Sequence, residues 1–115
     1  MDTQYRRRPI VSREVVIKKL TKVLGKLAQT LPVDSAYLYG SYANGKPKIF
    51  SDVDVVVVSP KFGNDIVKET TWLMELFEET GLMVEPRAYS RQEFERAEPG
   101  TFLYDEVLEK GIRLV

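Results

Sequence analysis

The sequence predicts one α/β domain, and three observations predict it. Apolar residues recur at three- and four-residue spacing over residues 12–31, a valine run follows two aspartates at Val55-Val56-Val57-Val58, and helical and extended patterns alternate along the rest of the chain. The chain has 115 residues, of which 43% are hydrophobic. At that length folding buries roughly two-thirds of the surface the unfolded chain exposes, enough for one modest core and too little for a second lobe that could enclose a large substrate.

Each element follows from its own residues. Val15, Val16, Leu20, Val23, Leu24, Leu27 and Leu31 form one stripe with lysines on the other side, which is an amphipathic helix. Pro32 stops it, and Ala36-Tyr37-Leu38-Tyr39 reads as a short strand ending at Gly40. Residues 41–50 contain Gly45 and Pro47 and leave room for a helical turn at most. The strand over residues 52–58 is polar only at its start, and its distal half is apolar on both faces, so it is expected at the centre of a sheet covered on both sides.

Ser59-Pro60 closes that strand. Asn64 is expected to cap a helix with Ile66, Thr70, Leu73 and Phe77 along its inner stripe, Glu69, Glu75, Glu78 and Glu79 mostly outside, and Gly81 at its end. Residues 82–89 read as a third strand. Ser90-Arg91-Gln92-Glu93 has the form of a capping box opening a short helix that Pro99-Gly100 interrupts. A last helix over residues 101–110 ends at Gly111, and Ile112-Arg113-Leu114-Val115 can add an edge strand. No internal repeat or linker marks a boundary beyond a basic N-terminal arm, residues 1–11, ahead of one domain, residues 12–115.

Composition removes several chemistries. With no cysteine and no histidine there is no disulfide, thiol nucleophile, Ser-His-Asp triad or imidazole ligand, so catalysis has to rest on carboxylates, hydroxyls, lysines, arginines or hard metal ions. The opening MDTQYRRRPI is charged and no apolar segment of signal-peptide type follows it, so the cytoplasm is the expected compartment and no membrane association is expected. Charges balance at 17 basic against 17 acidic residues, yet residues 1–26 hold eight basic residues against Asp2 and Glu14, a net +6 that leaves −6 for the remainder. The helix offers no aromatic residue between Ser12 and Leu31 on which a base could stack. The basic segment is therefore expected to serve solubility or an acidic partner, not specific nucleic-acid recognition.

Asp52 and Asp54 carry the strongest chemical signal. Two positions apart on a strand, their side chains share a face at about 6 to 7 Å along it. Two carboxylates at the mouth of a buried strand repel each other and resist desolvation, and Mg²⁺, which takes oxygen ligands and substrate phosphates together, supplies the missing charge. Twelve residues earlier, Gly40-Ser41 ends the preceding strand, where a glycine allows close backbone approach and a serine offers its N–H and hydroxyl to a phosphate. Glu85 is a third candidate acid, sharing its strand face with Arg87 by alternation. Beside the Asp52 strand it would complete a three-carboxylate cluster of the kind that serves two-metal phosphoryl displacement.

GSYANGKPKIFSDVDVVVVS, a Gly-Ser followed after ten residues by Asp-x-Asp, resembles the signature of the DNA polymerase β-like nucleotidyltransferase superfamily, in its minimal nucleotidyltransferase branch. The motif spans Gly40 to Asp54, and the order of flanking elements agrees over nearly the whole chain. The resemblance implies a small mixed sheet flanked by helices. It also implies a nucleoside triphosphate, ATP being expected, bound with two Mg²⁺ ions or with Mn²⁺, and transfer of the monophosphate to a hydroxyl with loss of pyrophosphate.

In that reading Asp52 and Asp54 ligate both metals, Glu85 binds the catalytic metal and draws the acceptor's proton, and Gly40, Ser41 and Gly45 form the phosphate turn. Many members carry Arg between the serine and the second glycine. This chain has Asn44 before Gly45, so phosphate charge falls to Lys46, Lys48 or Arg87. The third acid is Glu where Asp is commoner, and Pro86 directly follows it, an awkward residue inside a strand. Tyr42 and Phe50 flank the loop, where either a base or the core would take them.

Minimal members pair with a separate helical HEPN-type protein, which the resemblance therefore implies as partner, modified or masked. A homo-oligomer is equally compatible with the sequence. The rival function is a catalytically silent module that neutralises such a partner or touches RNA. Retention of all three carboxylates argues against it, because unpaired buried acids cost stability when they serve no metal.

Overall fold

The computed structural model describes residues 11–45, 47 and 52–115. Helix α1, Arg13–Thr30, begins where the Ser12 hydroxyl accepts the Val15 N–H at 3.3 Å, and it buries Val16, Leu20, Val23, Leu24 and Leu27 on one stripe. Strand β1, Ser35–Tyr39, leads through Gly40 into a single helical turn, α2, Ser41–Asn44. Strand β2, Val53–Ser59, follows, then α3, Ile66–Phe77, continued by a 3₁₀ turn over Glu78–Thr80. Strand β3, Val84–Ser90, runs into the short helix α4, Arg91–Glu95. A π-helical segment, Leu103–Glu109, and strand β4, Ile112–Arg113, complete the chain.

The sheet order is β3-β2-β1-β4, with β2 antiparallel to β1 and parallel to β3. It is the small mixed sheet that the motif's resemblance implies. Val55 to Val58 are each at most 1% exposed because each sheet face has its own cover. Ala36, Leu38, Val53, Val55, Val57 and Ala88 pack under α1 and α3, while Tyr37, Tyr39, Val56 and Val58 pack with Leu103 and Val107. The valine run is thus the central strand that two-faced hydrophobicity predicts.

Pro86 is accommodated because β3 is a sheet edge. The Val53 N–H donates to the Met83 carbonyl, so Glu85, Arg87 and Tyr89 turn their backbone groups toward β2, and Val84, Pro86, Ala88 and Ser90 turn theirs outward. On that outer row the Val84 N–H donates to the Leu82 carbonyl, Pro86 has no N–H, and the Ser90 N–H donates to Glu93 Oε1 at 3.1 Å. The edge is largely closed to pairing with another strand.

Several details differ from the sequence reading. Asp65, not Asn64, caps α3, accepting the Lys68 N–H at 3.2 Å, because the Asn64 amide is used in the preceding turn on the Lys61 carbonyl. Glu69 turns back to accept the N–H groups of Gly63, Asn64 and Asp65 at 3.0 to 3.3 Å. Ile66 is 63% exposed, since the first turn of α3 overhangs the sheet that buries Leu73 and Phe77. The last helix is π-helical, which apolar spacing could not distinguish from α because residues four apart share a face in both. The Ser90–Glu93 capping box, the left-handed Gly81 (φ 71°) and the edge position of β4 are as expected. Among the described residues no helix is long and apolar enough to cross a membrane.

Candidate functional site

The site lies where β1 ends and β2 and β3 begin. The register Tyr39↔Asp54↔Glu85 sets these three residues side by side across three strands and on one face of the sheet. Glu85 is exposed, Asp54 half-buried and Asp52, one residue ahead of β2, partly exposed. Burial raises the Asp54 carboxyl to about 6, helped by the charges of Glu85 and Asp52 and by a carboxyl–carboxylate hydrogen bond with Glu85, with Arg87 acting in the opposite direction. Asp54 and Glu85 are register partners on adjacent strands, whereas Asp52, one residue ahead of β2, acts through its charge. Among the described residues no three acidic side chains converge as they stand into a metal cage. The donor set is nevertheless all hard oxygen, and crowded carboxylates are what a divalent cation relieves, so the residues fit Mg²⁺.

Gly40 joins the helical turn Ser41–Asn44 to this carboxylate. Its backbone, at φ 76° and ψ −152°, lies in a region essentially restricted to glycine. A Cβ there would stand 3.2 Å from Asp54 Cγ and closer still to Oδ2. The missing side chain is what lets β1 turn directly against the acidic strand. After it the Gly40 carbonyl accepts the N–H groups of Ala43 and Asn44 at 3.0 and 3.1 Å, and Gly45 closes the turn by donating its N–H to the Ser41 carbonyl at 3.0 Å. Ser41 is partly exposed at the head of the turn. The Tyr42 ring takes the core alternative, only 5% exposed within the cluster under α1, which leaves its backbone rather than its ring at the site. Lys46, Lys48 and Phe50 lie outside the described residues, as does the basic run Arg6 to Arg8.

Arg87 stands on the carboxylate face with its guanidinium 4.6 Å from the centroid of the Phe102 ring, and Phe102 meets Tyr39 edge to face at 5.3 Å. Burial works against the Arg87 charge, but a hydrogen bond with Tyr89 and the proximity of Tyr39 and Asp54 hold it above its ordinary value. Burial pushes the Tyr39 hydroxyl up to about 12, so at neutral pH it is a neutral donor beside the acids. Tyr39 and Phe102 are site walls that sequence reasoning did not find. Phe102 follows the Pro99-Gly100 break, and nothing local signals that the chain returns over Arg87.

Beside the acids a cleft of about 370 Å³ is lined by Asp52, Glu85, Glu78, Met74, Leu82 and Met83, with Phe77 and Val84 behind them. Met74 and Met83 are 51% and 66% exposed. Its walls combine an apolar floor with an acidic rim.

Comparison with known proteins agrees with this geometry. No curated protein matches the chain by sequence. A crystal structure of a "putative nucleotidyltransferase" from Sulfolobus solfataricus superposes with a TM-score of 0.60 at 16% identity, covering 88% of this chain and 80% of the other, a likeness of fold. The family model described as a nucleotidyltransferase domain matches residues 17–114, which takes in the turn, the acidic strand and Glu85, and the chain belongs to that nucleotidyltransferase family.

Proposed function

We propose that this protein transfers a nucleoside monophosphate, AMP from ATP, to a hydroxyl acceptor. The acceptor oxygen attacks the α-phosphorus in line with the leaving pyrophosphate. The new P–O bond forms as the bridging α–β P–O bond breaks, and the hydroxyl proton passes to a carboxylate, the histidine-free chain having no imidazole to take it. Glu85, the exposed acid, is that base. Asp52, Asp54 and Glu85 would hold two Mg²⁺ or Mn²⁺ ions, which supply charge neutralisation at the phosphates and at the attacking and leaving oxygens. Gly40 and Ser41 hold the terminal phosphates, and Asp52 has to turn toward Asp54 to share in the ligation.

The observation that carries this reading is Asp54. A carboxylate pressed against Gly40, half-buried beside Glu85 and raised to about 6, works against the stability of the fold, and a cation at that position reverses the penalty. The acceptor belongs to a helical partner of the HEPN type. The cleft at Asp52 and Glu85, with Met74 and Met83 exposed on its floor, is a place where a partner's side chain could approach the acids.

Incubation with α-labelled ATP and Mg²⁺, with and without the protein encoded beside this one, is the test. Label on the partner with matching pyrophosphate release is the expected result. Binding of the partner with no release from any nucleoside triphosphate would replace this reading with the silent module.

A further inference from the structure

The described part of the phosphate turn, Ser41-Tyr42-Ala43-Asn44-Gly45, carries no cation, although a bound triphosphate brings several negative charges to it. Arg87, the described cation beside the acids, is already stacked on the Phe102 face, 4.6 Å from its centroid. The geometry points to Arg13, the first residue of α1, as a phosphate-binding residue of this site. This inference rests on the nucleotidyltransferase reading above and adds to it a group that comes from outside the sequence motif.

Arg13 Nε donates to the Tyr42 carbonyl at 2.7 Å across 29 residues of sequence. That bond gives the Tyr42 carbonyl, on the one-turn helix Ser41–Asn44, a partner from another element. It also fixes the guanidinium on the turn that begins at Ser41. The anchor is rigid at both ends, since the Tyr42 ring is buried in the core and the Ser12 cap sets the start of α1. A guanidinium presents five N–H groups in a planar fork, and the bond to Tyr42 uses only the one on Nε. The four on the terminal nitrogens meet no carboxylate among the described residues. A planar, permanently charged fork with one arm fixed and two open suits phosphate oxygens, whereas a lysine could not hold the carbonyl and a phosphate in the same geometry.

The test is calorimetric titration of the wild type, Arg13→Gln and Arg13→Lys with Mg²⁺–tripolyphosphate, Mg²⁺–ATP and AMP. Loss of charge-assisted hydrogen bonds predicts that Arg13→Gln weakens tripolyphosphate and ATP by about ten- to a hundredfold while AMP is unchanged. Arg13→Lys should recover only part of the loss. A residue that merely ties α1 to the turn would lower the melting temperature and leave the ATP-to-AMP affinity ratio as it was, and an unchanged ratio in Arg13→Gln overturns this inference alone. Failure of the wild type to bind either tripolyphosphate or ATP overturns the nucleotidyltransferase reading and this inference with it.

Discussion

Replacing Gly40 by alanine tests the joint between the turn Ser41–Asn44 and the acidic strand. Two separable costs are expected. Holding a Cβ-bearing residue at φ 76° and ψ −152° costs about 1 to 3 kcal/mol, because that backbone region is essentially glycine's own. The new methyl, 3.2 Å from Asp54 Cγ and nearer to Oδ2, forces the carboxylate off its rotamer for about 0.5 to 1.5 kcal/mol more. The sum, about 1.5 to 4.5 kcal/mol, is a large share of the ~5 to 15 kcal/mol that stabilises a typical domain, yet leaves it folded. Urea denaturation of Gly40→Ala, Asp54→Ala and the double variant separates the costs. The backbone penalty persists when Asp54 is shortened, whereas the contact penalty appears as a coupling of about 1 kcal/mol. A Gly40→Ala variant within about 0.5 kcal/mol of wild type, or a coupling of zero, would refute the reasoning.

Three further outcomes are expected. In metal-free buffer Asp54, at about 6 in the fold against 3.8 for a free carboxyl, makes the folded state bind more protons than the unfolded one, so stability falls as pH rises through that window; Asp54→Asn flattens this profile and removes most of the melting-temperature gain from Mg²⁺ with triphosphate, and an unchanged gain would count against the metal assignment. Ser41→Ala leaves the fold intact and weakens triphosphate binding by about 0.5 to 1.5 kcal/mol, measured by titration; equal affinity would reject the hydroxyl contact. The paired bonds from Arg91 Nε and an amino nitrogen to Asp34, both 2.8 Å, hold the Asp34 carboxyl below its ordinary value, so their contribution is full above the usual carboxylate range and lost as pH falls through the folded value. Thermal melts of Arg91→Gln should therefore fall slightly below wild type at neutral pH and low salt and converge with it in acid, and a gap that persists in strong acid would contradict the sign.

Local physics made most of the fold legible. Valines at both parities from Val55 to Val58 can be buried only in a doubly covered strand, and the α1 stripe, Pro32, Gly81 and the Ser90–Glu93 box fix element ends by chemistry that acts within one turn. The cap of α3 lies one residue beyond the expected Asn64 because Asn64 and Asp65 are both good caps, and the Lys61 carbonyl that holds the Asn64 amide decides between them. Pro86 looked awkward only while its strand's neighbours were unknown; a proline's cost depends on whether its N–H would have faced a partner, which is a property of sheet order. Gly40, Ser41, Asp52, Asp54 and Glu85 stood out because hydrophobic context makes acids and glycines conspicuous. Arg13, Tyr39 and Phe102 did not, because their relation to the site is set by pairing and packing across 15 residues or more.

The same economy of length explains where the charges sit. Both faces of the distal half of β2 are consumed by core, one under α1 and α3 and the other under the C-terminal helices, so polar chemistry on this strand is confined to the end where the valines give way to Asp52 and Asp54. That end gathers the turn after β1, the start of β3 and, through its bond to the Tyr42 carbonyl, the first residue of α1, the groups that the proposed function assigns to a triphosphate and its counter-charges. The cleft at Asp52 and Glu85, with Met74 and Met83 exposed along it, is where the proposed reaction would receive its acceptor.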